Sequence, residues 1–251
     1  MVFNSIFFIF CFLPVFMLIY YLVPGKLRNL LLFLGSLIFY AWGEPVYVIL
    51  MLFSSIFNYY MGTELERLYY DDRKQKINLV FSIIINLAVL VFFKYYGFLL
   101  NTIGGIIGIH IPHPELSLPI GLSFYTFRNL SYLFDIYLSK VSAQRNFLTF
   151  AVYSTMFPYT SAGPIVRYTD IETQLKQRTI NISRFGIGAE LFVKGLAKKV
   201  LLADNLSVLY SSICGHPQMS VFTSWLGILA YTMQLYFDFS GYSDMGISPL
   251  I

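Results

Sequence analysis

The sequence predicts an all-α fold: a polytopic integral membrane helical bundle with about six spans plus a re-entrant segment. Three observations point there. Of 251 residues, 57% are hydrophobic and only 12% are charged, against about 25% charged in ordinary soluble domains. Mean hydropathy is +0.66. The apolar residues also gather in runs of about 20, the length that crosses bilayer hydrocarbon as a helix.

Taken in order, residues 2–23 read as a first span, closed by Pro24-Gly25. The run has no basic leading segment and is too long for a cleaved signal peptide. Leu27–Trp42 is the second span, and 46–61 the third. A charged loop with Arg67, Arg73, Lys74 and Lys76 leads to a fourth span over 77–100. Lys94, Tyr95 and Tyr96 near its far end suit a membrane interface. The loop 101–117 is rich in glycine and proline and holds no Lys or Arg. The fifth span, Leu118–Leu138, contains Arg128 and Asp135. Residues 147–165 are expected to be re-entrant or interfacial, because the apolar part is too short to cross about 30 Å. An amphipathic stretch at 185–209 and an apolar run at 221–237 complete the chain.

Charge gives an orientation. Loops 24–28, 62–77, 139–146 and 166–184 are basic, while 43–46, 101–117 and 210–220 hold no Lys or Arg. Positive-inside counting puts the N-terminus outside and 62–77 in the cytoplasm, provided 147–165 does not cross. No repeat or hydrophilic linker divides residues 1–251, which read as a single membrane domain. The net charge of +4 is spread over loops, so it reads as orientation signal and not as a nucleic-acid footprint. Cys11 and Cys214 form no metal spacing or disulfide framework, and Cys11 reads as a packed small hydrophobe.

The candidate functional residues concentrate at 231–245, Y-T-M-Q-L-Y-F-D-F-S-G-Y-S-D-M. Here Gln234, Asp238, Ser240 and Asp244 enter an apolar environment. A carboxylate at bilayer depth costs roughly 3 kcal/mol on insertion scales, so these groups need partners, water or a task. One reading has them pairing with neighbouring helices; the other is a polar cavity within the bundle. Gly241 would then permit a bent or unwound backbone beside that cavity. Arg128 and Asp135, seven apart, fall on one helix face. They are read either as satisfied charges or as a tunnel wall. Arg167 follows the irregular stretch 156–165 and is read as a phosphate or headgroup contact, or as a cytoplasmic anchor. His110, His113 and His216 sit in proline-marked loops without metal spacing, and no metal site is expected.

Several motifs together resemble the membrane-bound O-acyltransferase family, in the branch of alginate O-acetyltransferases and teichoic-acid D-alanyl transfer proteins. They are Y-A-W-G-E-P at 40–45, F-F-K-Y-Y at 92–96, L-P-I-G-L-S-F-Y-T-F at 118–127, A-G-P-I-V-R-Y at 162–168, G-L-A-K-K-V-L-L-A-D at 195–204 and Q-L-Y-F-D-F-S-G-Y-S-D-M at 234–245. The last is the most specific. Tyr159-Thr160-Ser161 departs from the family's usual polar or basic residue and two aliphatics.

The resemblance implies about eleven helices around a tunnel, an acyl donor (acetyl-CoA or an acyl carrier) reaching it from the cytoplasm, and an acceptor hydroxyl from outside. It implies no bound cofactor, a bacterial inner-membrane location and an extracytoplasmic acetyltransferase partner. It places the catalytic histidine downstream of the D-F-S-G-Y-S-D stretch. None follows Asp244 before Ile251, so the expectation is the N-terminal portion of such an enzyme, inactive alone. Gln234, Asp238, Ser240, Asp244, Arg128 and Arg167 are its candidate tunnel or substrate residues. A different class, a transporter or channel subunit using the buried carboxylates as an ion path, also fits the residues. A purely structural membrane subunit is a third reading.

Overall fold

The computed structural model describes residues 4–108, 117–160, 163, 166–176, 182–216 and 220–247. Every regular element among them is helical. His110 and His113 fall outside the described residues, as do Ser161, Ala162, Pro164 and Ile165 of the irregular stretch. The helices are α1 (Leu13–Leu22), α2 (Arg28–Gly43), α3 (Val48–Arg67), α4 (Asp72–Ile107), α5 (Leu122–Tyr137), α6 (Phe147–Thr155), α7 (Tyr168–Lys176), α8 (Ile182–Ala197), α9 (Asp204–Cys214) and α10 (Val221–Ile247). They fall into two compact units. One holds Val23–Ser161 and Ile165–Lys176; the other holds Met1–Leu22, Ala162–Pro164 and Gln177–Ile251.

In the first unit α3 packs on α4, α5 and α6, and α2 packs on α6. Local chemistry sets the helix ends. Asp71 caps α4 by accepting from the Lys74 N–H at 3.1 Å. The helix stops at Gly108, whose φ of 76° is left-handed and whose N–H returns to the Gly104 carbonyl, an end that glycine favours. Asn146 caps α6 through the Thr149 N–H at 3.1 Å. α5 begins after Gly121, at φ 75°, where a β-carbon would lie 1.8 Å from the Thr160 carbonyl oxygen; only glycine permits that approach.

α3 and α4 are both long and apolar enough to cross a membrane. Ile49, Phe53, Val80, Phe81, Ile84 and Phe98 are all exposed, an outward surface that suits hydrocarbon and not water. The protein is a membrane protein. α4 runs 36 residues, about 54 Å at 1.5 Å per residue, well beyond a hydrocarbon core of about 30 Å. The expected fourth span at 77–100 is therefore the middle of a longer rod. α2 and α5 have 16 residues each, and α6 has nine, seven of them buried.

In the second unit a π-helical turn, Phe8–Phe12, leads into α1. Phe8, Phe12, Phe16 and Tyr20 stack along it at 5.7, 5.8 and 6.3 Å between successive ring centres. Cys11 is exposed there, not packed as expected: the aromatic ladder occupies the inward face and Cys11 falls beside it. α8 continues through a π-helical stretch, Lys198–Ala203, into α9, and α10 packs on all three.

Candidate functional site

The acidic motif lies on α10, opposite the stretch that joins α8 to α9. Its backbone is one unbroken helix from Val221 to Ile247, so the backbone is not unwound at Gly241. Glycine serves another purpose there. A β-carbon at Gly241 would sit 2.7 Å from the Gly195 carbonyl oxygen, and one at Gly195 would sit 2.5 Å from the Gly241 carbonyl oxygen. Two glycines thus let α8 and α10 approach backbone to backbone, as small residues do in membrane helix pairs.

That closeness brings the motif's polar groups to the lysines one turn beyond Gly195. Lys198 Nζ lies 2.6 Å from Asp244 Oδ2 and donates to Ser240 Oγ at 3.1 Å. Lys199 Nζ lies 2.7 Å from Asp238 Oδ1 and 3.0 Å from Asp204 Oδ1. Consecutive lysines on a regular helix diverge by about 100°. Here they open the π-helical stretch, and both reach α10. Single π-turns are frequent at functional positions. The side chains of Asp244 and Asp238 are 23% and 36% exposed, so each ion pair keeps a flank open to a further polar group. Gln234, half-buried one turn before Asp238, has Oε1 sealed from solvent with no hydrogen-bond partner among the described residues.

The other two candidates belong to the first unit. Arg128 is 1% exposed. Its guanidinium donates to the carbonyls of Tyr153 at 3.0 Å, Ser154 at 3.3 Å and Tyr159, and its centre lies 5.4 Å from the Tyr159 ring. The first two carbonyls end α6, where the helix dipole is negative. Arg128 therefore closes α6 and holds the following turn. Asp135, 5% exposed, has its ion pair with Lys140 at 4.0 Å. Arg167 is exposed, and its backbone N–H donates to Asp170 Oδ2 at 3.2 Å. Nearby Tyr168 is buried and its hydroxyl oxygen accepts from the Gln144 side-chain amide, and burial pushes its phenol up to about 12. His216 is exposed.

Four of the six expected residues, Gln234, Asp238, Ser240 and Asp244, share one helix, and three of them meet lysines. The sequence reading did not single out Lys198 and Lys199 as site residues. The available signal was two adjacent cations on an amphipathic stretch, upstream of two carboxylates otherwise without partners.

No family model matches the chain. It is 39% identical over 251 residues to a probable alginate O-acetylase of Pseudomonas aeruginosa, covering 98% of this chain and 48% of that protein. A probable alginate O-acetylase of Azotobacter vinelandii matches at 39% over 251 residues, with 98% and 50% covered. A peptidoglycan O-acetyltransferase of Helicobacter pylori matches at 32% over 282 residues, with 98% and 53% covered. The chain spans about half the length of the curated relatives it matches.

Proposed function

We propose that this chain, a homologue of the O-acetyltransferases along nearly all of its sequence, is part of a membrane enzyme that moves acetyl groups onto hydroxyls of exported polysaccharides. The observation that carries the reading is the 39% identity over 98% of the chain to a protein named for alginate acetylation. The peptidoglycan-modifying relative shares the reaction on a different polymer, which supports the reaction class more firmly than any one acceptor. The relatives' names speak for acetyl transfer over a transporter or channel subunit.

In that chemistry the acceptor hydroxyl oxygen forms a bond to the acetyl carbon, the carbon–sulfur bond of the thioester breaks, and a thiol leaves. A base takes the hydroxyl proton, and the resemblance assigns that base to a histidine downstream of Asp244. The role we assign to Gln234, Asp238, Ser240 and Asp244 is to line the path to that base and orient the reacting groups. Orientation alone is worth about 7–11 kcal/mol of a barrier. The half-open ion pairs support this, because Lys198 and Lys199 hold the carboxylates fixed while one flank of each stays available. Arg128 and Arg167 belong to the other unit: Arg128 shapes the turn at 157–159, and Arg167 offers an exposed cation to a phosphate-bearing donor or headgroup.

The arrangement we favour in the bacterial inner membrane has about six spans with 147–165 re-entrant, the N-terminus outside and the donor arriving from the cytoplasm. A nine-residue α6, about 14 Å long, supports a segment that does not cross. An extracytoplasmic acetyltransferase is the expected partner. The test uses protein of the relatives' full length in liposomes, with an acetyl thioester and a hydroxylated polysaccharide, and measures polymer-bound acetyl. Transfer above a protein-free control, abolished by Asp238→Ala in protein that still accumulates, is expected. No transfer from correctly inserted wild-type protein with any hydroxylated polymer would end the proposal.

A further inference from the structure

A second polar cluster lies in the first unit, among α3, α4 and α5. Asn58 and Asn86 exchange side-chain amides, with Nδ2 to Oδ1 at 3.0 Å and 2.9 Å. Asn86 Nδ2 also donates to the Ser82 carbonyl at 2.9 Å. Asn58 Nδ2 donates to the Ser54 carbonyl at 2.8 Å and reaches Ser54 Oγ at 3.4 Å. Asn129 Nδ2 donates to Ser54 Oγ at 3.2 Å. Beside this cluster is a cavity of about 10 Å³, lined by Ser54, Asn86, Tyr125 and Thr126 with aliphatic and aromatic neighbours.

Two buried polar groups here lack partners, on Tyr125 and Asn129, and of the two Tyr125 lines the cavity. Tyr125 is 1% exposed, and its hydroxyl has no hydrogen-bond partner among the described residues. Asn129 is fully buried, and its Oδ1 has none either. Ser54 Oγ accepts from two amides, which leaves its own proton free to donate. In a helix bundle surrounded by hydrocarbon, bulk water cannot satisfy such groups. A buried tyrosine hydroxyl ordinarily finds a partner, and a buried amide oxygen does too.

We propose that this cavity binds one ordered water, which accepts from Ser54 and Tyr125. The size selects the occupant. A single water needs about 10–15 Å³ of such volume and two to four polar partners, and the site offers about 10 Å³ with the hydroxyls of Ser54 and Tyr125 on its wall. Any organic ligand is too large. The amide N–H groups of Asn58 and Asn86 are all engaged with each other and with their own helices, so the pair offers the water no donor. The inference is independent of the proposed reaction, since it concerns a separate unit and a different class of bound molecule.

The test reads stability and water directly in the intact membrane protein. In a dry cavity, Tyr125→Phe removes an unpaired hydroxyl and leaves the melting temperature unchanged or raises it. In a hydrated one it lowers the melting temperature, by about 2–4 °C for a chain of this size. Ser54→Ala should also lower it, and the double variant should lose less than the sum of the two, because both break the same water bridge. A high-resolution map should place a water within hydrogen-bond reach of Tyr125 Oη. An unchanged or raised melting temperature for Tyr125→Phe overturns the proposal, as do additive losses or an empty cavity in the map. If Ser54→Ala fails to accumulate, Tyr125→Phe and the map decide alone.

Discussion

The pairing of Asn58 with Asn86 on α3 and α4 and the pairing of Lys198, in the π-helical stretch after α8, with Asp244 on α10 solve one problem in two ways. Both place polar side chains on otherwise apolar helices. The asparagines are neutral, 0% and 5% exposed, and turned entirely on each other and their own helices. The lysine and aspartate are charged, 37% and 23% exposed, and anchored on one side only. A saturated neutral pair is worth its hydrogen bonds and little else. A partly open ion pair holds a charge in place while leaving room for a substrate group. The difference separates polarity that builds the bundle from polarity that remains available for chemistry.

Substitutions that test this contrast fall in order of expected effect. Gly241→Leu comes first. Its side chain must enter space held by the Gly195 carbonyl and the Lys199 backbone N–H, 2.7 and 3.1 Å from the β-carbon position. Backbone cannot yield as a side chain can, so the loss should exceed about 4 kcal/mol. We expect the variant to be absent from the membrane fraction on immunoblots. Arg128→Ala should follow, at about 3–5 kcal/mol, because it strands the buried carbonyls of Tyr153, Ser154 and Tyr159. Arg128→Lys should rescue little, since one ammonium cannot span all three acceptors. Thermal unfolding in detergent would measure both.

Asn58→Leu should cost about 1–3 kcal/mol by stranding the Asn86 amide, while acetyl transfer by the surviving full-length protein stays at the wild-type level. Loss of transfer with unchanged stability would blur the contrast drawn above. The smallest effect is expected at Asp71. Hydrogen bonds from the Lys74 side chain and then its backbone N–H hold this carboxyl below its usual range. A lowered folded-state value means the contribution is present above the ordinary carboxylate range and is lost as pH falls through the lowered one. Since Asp71 is partly exposed at the helix end, Asp71→Asn should produce only a slight fall in melting temperature at pH 7, shrinking further in acid.

Most of the helical layout was legible in the sequence because apolar runs and their proline and glycine ends are local. Pro24-Gly25 and Gly43 close helices near where their chemistry predicts, and the short 147–158 run does form a short helix. The length of α4 was not legible. Glycines 104 and 105 read as a loop, yet the helix continues through them until Gly108 adopts the left-handed turn. The close approach at Gly241 was not legible for a related reason. In sequence, a glycine among aromatics signals either a bend or a close approach, and only Gly195 on another helix decides between them. Asp238 and Asp244 stood out because an intramembrane carboxylate is expensive wherever it lies. Lys198 and Lys199 did not, since basic residues on an amphipathic stretch are ordinary. Arg128 was visible as a charge within an apolar run, but its carbonyl partners lie 25 to 31 residues away, beyond what helical spacing reveals.

The most direct test of the central claim exchanges the charges of one pair in full-length protein: Lys198→Asp, Asp244→Lys, and both together. Each single change sets like charges within about 3 Å and should reduce the protein in the membrane. The double variant restores the ion pair with reversed polarity, so the account predicts that its membrane level recovers. Polymer-bound acetyl should nevertheless stay at the protein-free background, because the flank open to substrate then carries the wrong charge. Recovery of acetyl transfer together with the membrane level would contradict the account and show that this pair, like Asn58 and Asn86, only holds helices together.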